Sequence, residues 1–272
     1  MSPEGWFRVE EFAPGTFQFT EGGRWKMFLL IGDKKALLLD SGVGFGDLKA
    51  LCESITSKPI DHVLTHTHWD HIGSAHRWKS IGVHPNGISE LTNDHSQKCT
   101  EVIQGWGDGL PFPPEFKSEG YMTPPATFGW EVQEGDSIDL GGRTLHVWDT
   151  PGHSPCSISF LDDREGVLIT GDLVKPLQPL NLRAPNAVLS DYVLSLRKLE
   201  KVATENEVKW VCSGHADAFP DSSIIGEMAQ FMEEVEEGKH EPPRKMTNER
   251  LGKLDVYQSS RFSAWIKDNA RR

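Results

Sequence analysis

Hydrophobic positions in the first forty residues come in short runs, and those runs predict strands. TFQFT, WKMFLLIG and KALLLD are rich in apolar or β-branched residues and are broken by Gly22-Gly23 and by Gly32-Asp33. The second break reads as a hairpin turn, since Gly and Asp tolerate the backbone angles of tight turns. After Asp40, the glycines of SGVGFG mark a loop, and GDLKALCESI predicts a helix with Asp47 near its N-terminus. A second unit begins at Pro59. There DHVLT predicts a strand, THTHWDHIG the loop leaving it, the segment after Gly73 a helix, and IGVHP another short strand.

The pattern breaks down over residues 85–128, where Pro, Gly and aromatic residues crowd together without periodicity. An insertion this long inside a domain is often functional, although its aromatics would equally serve to anchor it to the core. Alternation then returns. SIDLGGRTLHVWDT predicts a hairpin turning at Gly141-Gly142, and CSISFLDDREGVLITGD another turning near Asp163 to Gly166. LSDYVLSLRKLEKVA predicts an amphipathic helix capped by Ser190, with Tyr192, Leu196, Leu199 and Val202 close to one face. KWVCSGH reads as a strand entering a loop, and DSSIIGEMAQFMEEVEEG as a helix capped by Asp221. Strands in two batches, each followed by helices, fit two sheets packed face to face with helices outside. One domain over 1–272 is expected, since no linker, charge block or repeat divides it. The charged tail from about residue 239 is weakly patterned, which leaves open packing on the domain, completing a homodimer, or staying mobile.

Composition narrows the class. The 272 residues carry 40 acidic against 28 basic side chains, a formal charge of −12, which argues against a nucleic-acid track. A small anionic substrate is still compatible, because a bound metal reverses the local field. The N-terminus has no basic start followed by an apolar run, and no apolar stretch is long enough for a membrane span. Cys52, Cys99, Cys156 and Cys212 are scattered and form no CxxC, which fits reduced cysteines in a cytoplasmic protein.

The candidate chemistry lies at strand ends. His66-Thr67-His68-Trp69-Asp70-His71 places four potential metal ligands within six residues, after an apolar strand and before a glycine. Imidazole and carboxylate suit borderline cations such as zinc. His153 in TPGHS, Asp172 in TGD and His215 in SGH each stand beside glycine at the end of an expected strand. Functional loops of α/β proteins sit at such carboxyl ends. His62, His76, His84, His95, His146 and His240 match no such position and are taken as structural.

HxHxDH followed by GH, GD and GH, in that order, resembles the metallo-β-lactamase superfamily from about Thr16 to His215. The resemblance implies a four-layer αββα sandwich of two mixed sheets flanked by helices. It implies that His66, His68 and His153 hold one metal, that Asp70, His71 and His215 hold a second, and that Asp172 bridges them. Asp40 in LLLDSG matches the family's supporting aspartate. Two zinc ions are the expected cofactors, with iron or manganese as alternatives. A water on two divalent ions has its pKa lowered from about 15.7 towards about 7, so hydroxide is available for attack on a carbonyl. Asp70 is the candidate to orient that nucleophile and shuttle its proton.

An aspartate at position 172 resembles the glyoxalase II-like thioesterases and lactonases rather than the β-lactamases with cysteine there. Quorum-quenching lactonases place tyrosine three residues later, where this chain has Lys175. The run SDYVLSLRKLEKV and the hairpin before TPGHS are similar to the single-domain acyl-CoA thioesterase branch. The expected activity is thioester or ester hydrolysis on a small molecule, with a lactone, β-lactam or other cyclic amide next. The rival class is a persulfide dioxygenase using one iron. Candidate substrate contacts are Trp69, Trp106, Phe112, Tyr121 and Lys175, and Trp106, Phe112, Phe116, Tyr121 and Phe128 would form an apolar lid.

Overall fold

The apolar runs become strands because neighbouring strands offer one another complementary rows of backbone donors and acceptors. The computed structural model describes residues 6–93, 112–240, 243–248 and 252–271. Two units separate within the chain, Met1–Thr144 and Leu145–Arg272.

In the first unit, β1 (Phe7–Ala13), β2 (Thr16–Glu21), β3 (Trp25–Ile31), β4 (Ala36–Leu39), β5 (Ile60–Val63), β6 (Ile81–Val83) and β7 (Phe128–Glu131) form one seven-stranded sheet in that order. β1 to β4 pair antiparallel through tight turns, and β4 to β7 run parallel. The change follows from the connections, since α1 (Leu48–Ile55) carries the chain from β4 back to the start of β5. Asp47 caps α1 as expected, accepting from the Ala50 N–H at 3.1 Å. Leu48 and Cys52 bury the inner face of α1 with Phe19, Met27, Leu29 and Leu38. β1 was not expected. FRVEEFA has no clean alternation, and its charged, mostly exposed side chains suit an edge strand.

The helix expected after Gly73 is only a 3-10 turn at Ala75–Arg77. The chain has to reach β6 at Ile81, which leaves too few residues for a longer helix. Within the expected insertion, Pro85–Gly87 form a second 3-10 turn and α2 (Ile88–Thr92) follows. Residues 112–127 have no regular structure, and the insertion ends where β7 begins. β8 (Ser137–Asp139) precedes the Gly141-Gly142 turn.

In the second unit, β9 (Thr144–Asp149), β10 (Ile158–Asp162) and β11 (Val167–Ile169) pair antiparallel, with the hairpin where the sequence puts it. β12 (Leu180–Leu182) follows, then α3 (Leu189–Glu205), and β13 (Trp210–Cys212) joins β11 in parallel. α3 buries Tyr192, Leu196, Leu199 and Val202 against α4 (Ser223–Glu236), which buries Ile224, Ile225, Met228 and Met232. Each such apolar side chain contributes about 1.5–3 kcal/mol relative to exposure. The expected caps shift. Val188 holds the N-cap position of α3, and Ser190 lies inside that helix. Asp221 stands one residue before the N-cap of α4, where its carboxylate accepts from the Ser223 N–H at 2.9 Å.

Of the options left open for the tail, packing on the chain's own fold is the one observed. β14 (Arg244–Asn248), β15 (Gly252–Gln258) and β16 (Ser263–Ile266) form a further sheet with β12, in the order β12-β16-β15-β14. The central residues of β15 are buried four in a row, including Asp255, so its sequence shows no alternation to read. Among the described residues, no helix is long and apolar enough to cross a membrane.

Candidate metal centre

The first unit carries four of the expected ligands on one loop. His66 and His71 are buried, and His68 and Asp70 are half-exposed. The His66 ring centroid lies 4.7 Å from that of His68 and 4.0 Å from that of His71. A carboxylate oxygen of Asp70 lies within 4.8 Å of a ring nitrogen of His71.

Asp40, at the end of β4, organises this loop. Its Oδ1 accepts from the Thr65 N–H at 2.7 Å, and its Oδ2 accepts from the Thr65 hydroxyl at 2.8 Å. That bond uses the hydroxyl hydrogen, so Thr65 Oγ1 accepts from His66 Nδ1–H at 3.1 Å. Asp40 Oδ2 also accepts from His71 Nδ1–H at 2.8 Å. Both rings therefore carry their proton on Nδ1 and present Nε2 as the basic nitrogen, the form that ligates a metal. Asp40 itself has φ +63°, a left-handed conformation unfavourable for a residue with a Cβ. Such strain persists where the surroundings over-determine it, often at functional sites. Thr67 adds a further tie, donating to Glu90 on α2 at 2.7 Å.

A second carboxylate supports the first. Glu21 is fully buried at the end of β2 and accepts from Trp6 Nε1 at 3.0 Å. It also accepts from the backbone N–H groups of Val43, Gly44, Phe45 and Gly46, at 2.8, 3.3, 3.0 and 3.2 Å. Burial pushes its pKa up, opposed by these hydrogen bonds. The loop that Glu21 gathers is laced to the ligand loop: the Ser41 N–H donates to the His71 carbonyl at 2.7 Å, and the Gly73 N–H to the Gly42 carbonyl at 2.8 Å. Gly44 and Gly73 cross so closely that a Cβ on either would overlap the other's backbone.

The expected substrate aromatics pack around this loop. Phe45 stacks on Phe116 at 3.9 Å and meets Tyr121 and Phe112 edge-on at 5.3 and 5.5 Å. Trp69 is half-buried and meets Trp25 edge-on at 6.3 Å. Phe128 belongs to β7 and packs with the strand and helix core instead. Trp106 lies outside the described residues.

In the second unit, His153 follows β9, Asp172 follows β11 and His215 follows β13. Asp172 Oδ2 stands 3.4 Å from His153 Nε2 and 3.2 Å from His215 Nε2. Lys175 is buried, with its ammonium 2.6 Å from the same oxygen. His153 Nδ1 lies 2.8 Å from the Asn181 carbonyl. A carbonyl only accepts, so His153 too carries its proton on Nδ1 and keeps Nε2 basic. Gly152 before it has φ +128° and lies against the Tyr192 backbone, too close for any side chain. Burial, then the Asp172 carboxylate, push the Tyr192 pKa well up, and its hydroxyl donates to the Leu173 carbonyl. The turn after Lys175 closes from the Gln178 N–H to the Lys175 carbonyl at 3.2 Å. Gln178 Nε2 donates to the His215 carbonyl at 3.0 Å.

This donor set fits a borderline divalent cation. Three histidines are fixed in the ligating tautomer, and each unit adds an aspartate beside its histidines. Thiolate ligation is not indicated among the described cysteines. Cys52, Cys156 and Cys212 are buried and form no disulfide with one another, and burial pushes the thiols of Cys52, to about 12, and Cys212 up. Sequence reasoning missed Glu21, Thr65 and Asn181. Glu21 left one signal, an acidic residue ending a strand upstream of a glycine-rich loop. Asn181 left none, because its backbone carbonyl makes the bond.

The comparisons with known proteins agree with this chemistry. The acyl-coenzyme A thioesterase MBLAC2 of Gallus gallus is 28% identical over 80% of this chain and 84% of its own length. The Homo sapiens protein of that name is 26% identical over the same shares. The hydroxyacylglutathione hydrolase GloC of Haemophilus influenzae is 29% identical over 52% of this chain and 62% of its own. The expectation of a hydrolase thus meets relatives named as hydrolases. Among solved structures, a metallo-beta-lactamase from Pontibacter korlensis matches 84% of this chain and 99% of its own, with TM-score 0.60 and 18% identity. The DIM-1 metallo-beta-lactamase matches 86% and 100%, with TM-score 0.62 and 16% identity, so the expected fold class is borne out. The superfamily's sequence profile matches residues 26–215, from β3 to the last candidate ligand, and this chain belongs to the metallo-beta-lactamase superfamily.

Proposed function

We propose that this chain is a binuclear metal-dependent hydrolase that cleaves a thioester of the acyl-coenzyme A kind. A complete imidazole and carboxylate ligand set supports it, in a chain whose relatives over 80% of its length are named acyl-coenzyme A thioesterases. His66, His68 and His153 would hold one ion, Asp70, His71 and His215 a second, and Asp172 both. On this proposal residues 1–272 act as one domain, as the family resemblance implies. Zinc suits the donors best, with iron or manganese as substitutes.

When bound, two such ions supply Lewis acidity and acidify a water to a pKa of about 7. Asp70, half-exposed beside His71, would orient the attacking water and accept its proton. Lys175 holds Asp172 in place through their buried ion pair. Trp69, Phe112, Phe116 and Tyr121 cover the acyl chain, each buried CH₂ contributing about 0.8 kcal/mol. Buried cysteines without a disulfide among those described suit a reducing, cytoplasmic setting.

The test is metal content on protein purified without added metal, followed by a substrate panel of acyl-coenzyme A, glutathione thioester, lactone and β-lactam. Two zinc ions with thioester turnover are expected. One iron with oxygen consumption would overturn the hydrolase, and lactone turnover alone would move the substrate class.

A further inference from the structure

The sequence profile of the superfamily ends at residue 215, and a strand beyond it nevertheless pairs with the strand that touches a candidate ligand. His153 Nδ1–H donates to the carbonyl of Asn181, the middle residue of β12. β12 has three residues and, among the described residues, stands at the edge of its sheet with β16 as its neighbour. The pairing is parallel, Leu180 beside Ala264, Asn181 beside Trp265 and Leu182 beside Ile266.

Successive carbonyls of an extended strand point to opposite sides. The Leu182 carbonyl points towards β16, where it accepts from the Lys267 N–H at 3.2 Å. The Asn181 carbonyl therefore points to the open edge, where His153 meets it. Other ties fix the same segment. The Arg183 guanidinium lies over the Trp265 ring at 5.0 Å, and Asn269 Nδ2 donates to the Pro185 carbonyl at 2.8 Å. β16 is held in turn by β15, along four residue pairs.

We propose that the C-terminal strand β16 is a positioning element of the metal centre. It holds β12 in register, and the Asn181 carbonyl on β12 then sets the ring orientation and tautomer of His153. This role rests on His153 being a metal ligand, as proposed above. Hydrogen bonds to the second ring nitrogen of a ligating histidine are worth about 10–100-fold in metal affinity.

The test is Lys267→Pro in the full chain. Lys267 has φ −86° and ψ 149°, close to the φ of about −65° that proline imposes, so the substitution removes one N–H with little change in backbone. Lys267→Ala keeps the N–H and is the control. Zinc affinity is read by competition with a chromophoric chelator, and the His153 Nδ1–H resonance by histidine-selective NMR of zinc-loaded protein. We expect a loss of about tenfold or more in affinity for one zinc and a shifted His153 resonance in Lys267→Pro, with Lys267→Ala as the parent. A Lys267→Pro protein that binds zinc like the parent, with an unshifted resonance, overturns the proposal.

A second measurement needs no variant. Coupling between sites is reciprocal, so zinc must slow hydrogen exchange at the Lys267 amide if that strand sets the zinc ligand. Exchange there that ignores zinc overturns the proposal even if Lys267→Pro does not fold. A parent protein that binds no divalent ion would instead sink the metal-centre reading itself.

Discussion

The two units hold their candidate ligands by opposite means. In the first, four ligands lie within six residues, and two buried carboxylates pull that loop into shape. Asp40 fixes the rings of His66 and His71, one through Thr65 and one directly, while Glu21 gathers the neighbouring glycine loop. In the second, each ligand comes from a different strand end. His153 is oriented by a backbone carbonyl, and Asp172 is paired with Lys175. A contiguous ligand loop still needs side-chain anchors, because a loop has no ladder of its own to fix it. Dispersed ligands inherit their placement from the strands, and their fine orientation depends on whatever holds those strands.

The largest effect that would break this comparison is at the aspartate of the second unit. Asp172→Ala should reduce the bound metal from two ions to one or none and remove nearly all turnover, read by metal analysis and steady-state kinetics. Full activity in that variant would sink the bridging assignment. Next comes the anchor of the first unit. Asp40→Ala leaves His71 and Thr65 without their acceptor and should weaken metal binding by about 10–100-fold, measured by chelator competition. If Asp40→Ala binds metal like the parent, the carboxylate anchor is dispensable and the contrast between the units fails.

Glu21→Gln is a smaller, structural probe. It replaces one acceptor oxygen by an NH₂ group facing backbone N–H groups, and should cost about 1–3 kcal/mol in chemical denaturation. An unchanged midpoint would mean that the glycine loop keeps its shape without the carboxylate.

His62 on β5 gives a pH signature confined to the first unit. It is fully buried against Trp78, and burial lowers its pKa to about 3. The unfolded chain takes up its proton near pH 6.5 and the folded chain does not, so stability is lost as pH falls from about 6.5 towards 3. Denaturant unfolding of His62→Leu should show a shallower loss over that range, by up to one proton. An identical slope would mean that the ring is protonated in both states or in neither.

The smallest effect is expected at Leu177. It follows Pro176 in the turn after Lys175, at φ +61°, with its side chain 79% exposed. Relief of the left-handed backbone by glycine outweighs glycine's greater unfolded-state entropy, so Leu177→Gly should stabilise by about 1 kcal/mol or less. A drop in melting temperature would show that the exposed leucine has a partner within the fold.

Much of this was legible from residues alone. HTHWDH after an apolar strand, and single candidate ligands beside glycine after three later strands, mark the candidate centre because ligand chemistry and strand ends are both local properties. Asp47 as a cap and the buried face of α3 were readable for the same reason. The corrections share a different cause. The helix expected after Gly73 gave way to a 3-10 turn because β6 had to begin at Ile81. β15 carried no alternating signal because four successive residues of it are buried, and the parallel pairing of β16 with β12, far back along the chain, is set by position in space rather than by local propensity. The aromatics of residues 112–121 were visible in the sequence, but their packing around Phe45 was not.

The sequence by itself thus determined the family, the candidate ligand types and the strand ends that carry them. Tertiary structure decided which groups hold those ligands still. Asp40 reaches His71 across thirty-one residues, Glu21 reaches Gly46 across twenty-five, and Asn181 reaches His153 across twenty-eight. Hydrogen bonds to buried carboxylates and backbone carbonyls depend on position in space. They leave no periodicity in the chain, so only the folded arrangement shows them.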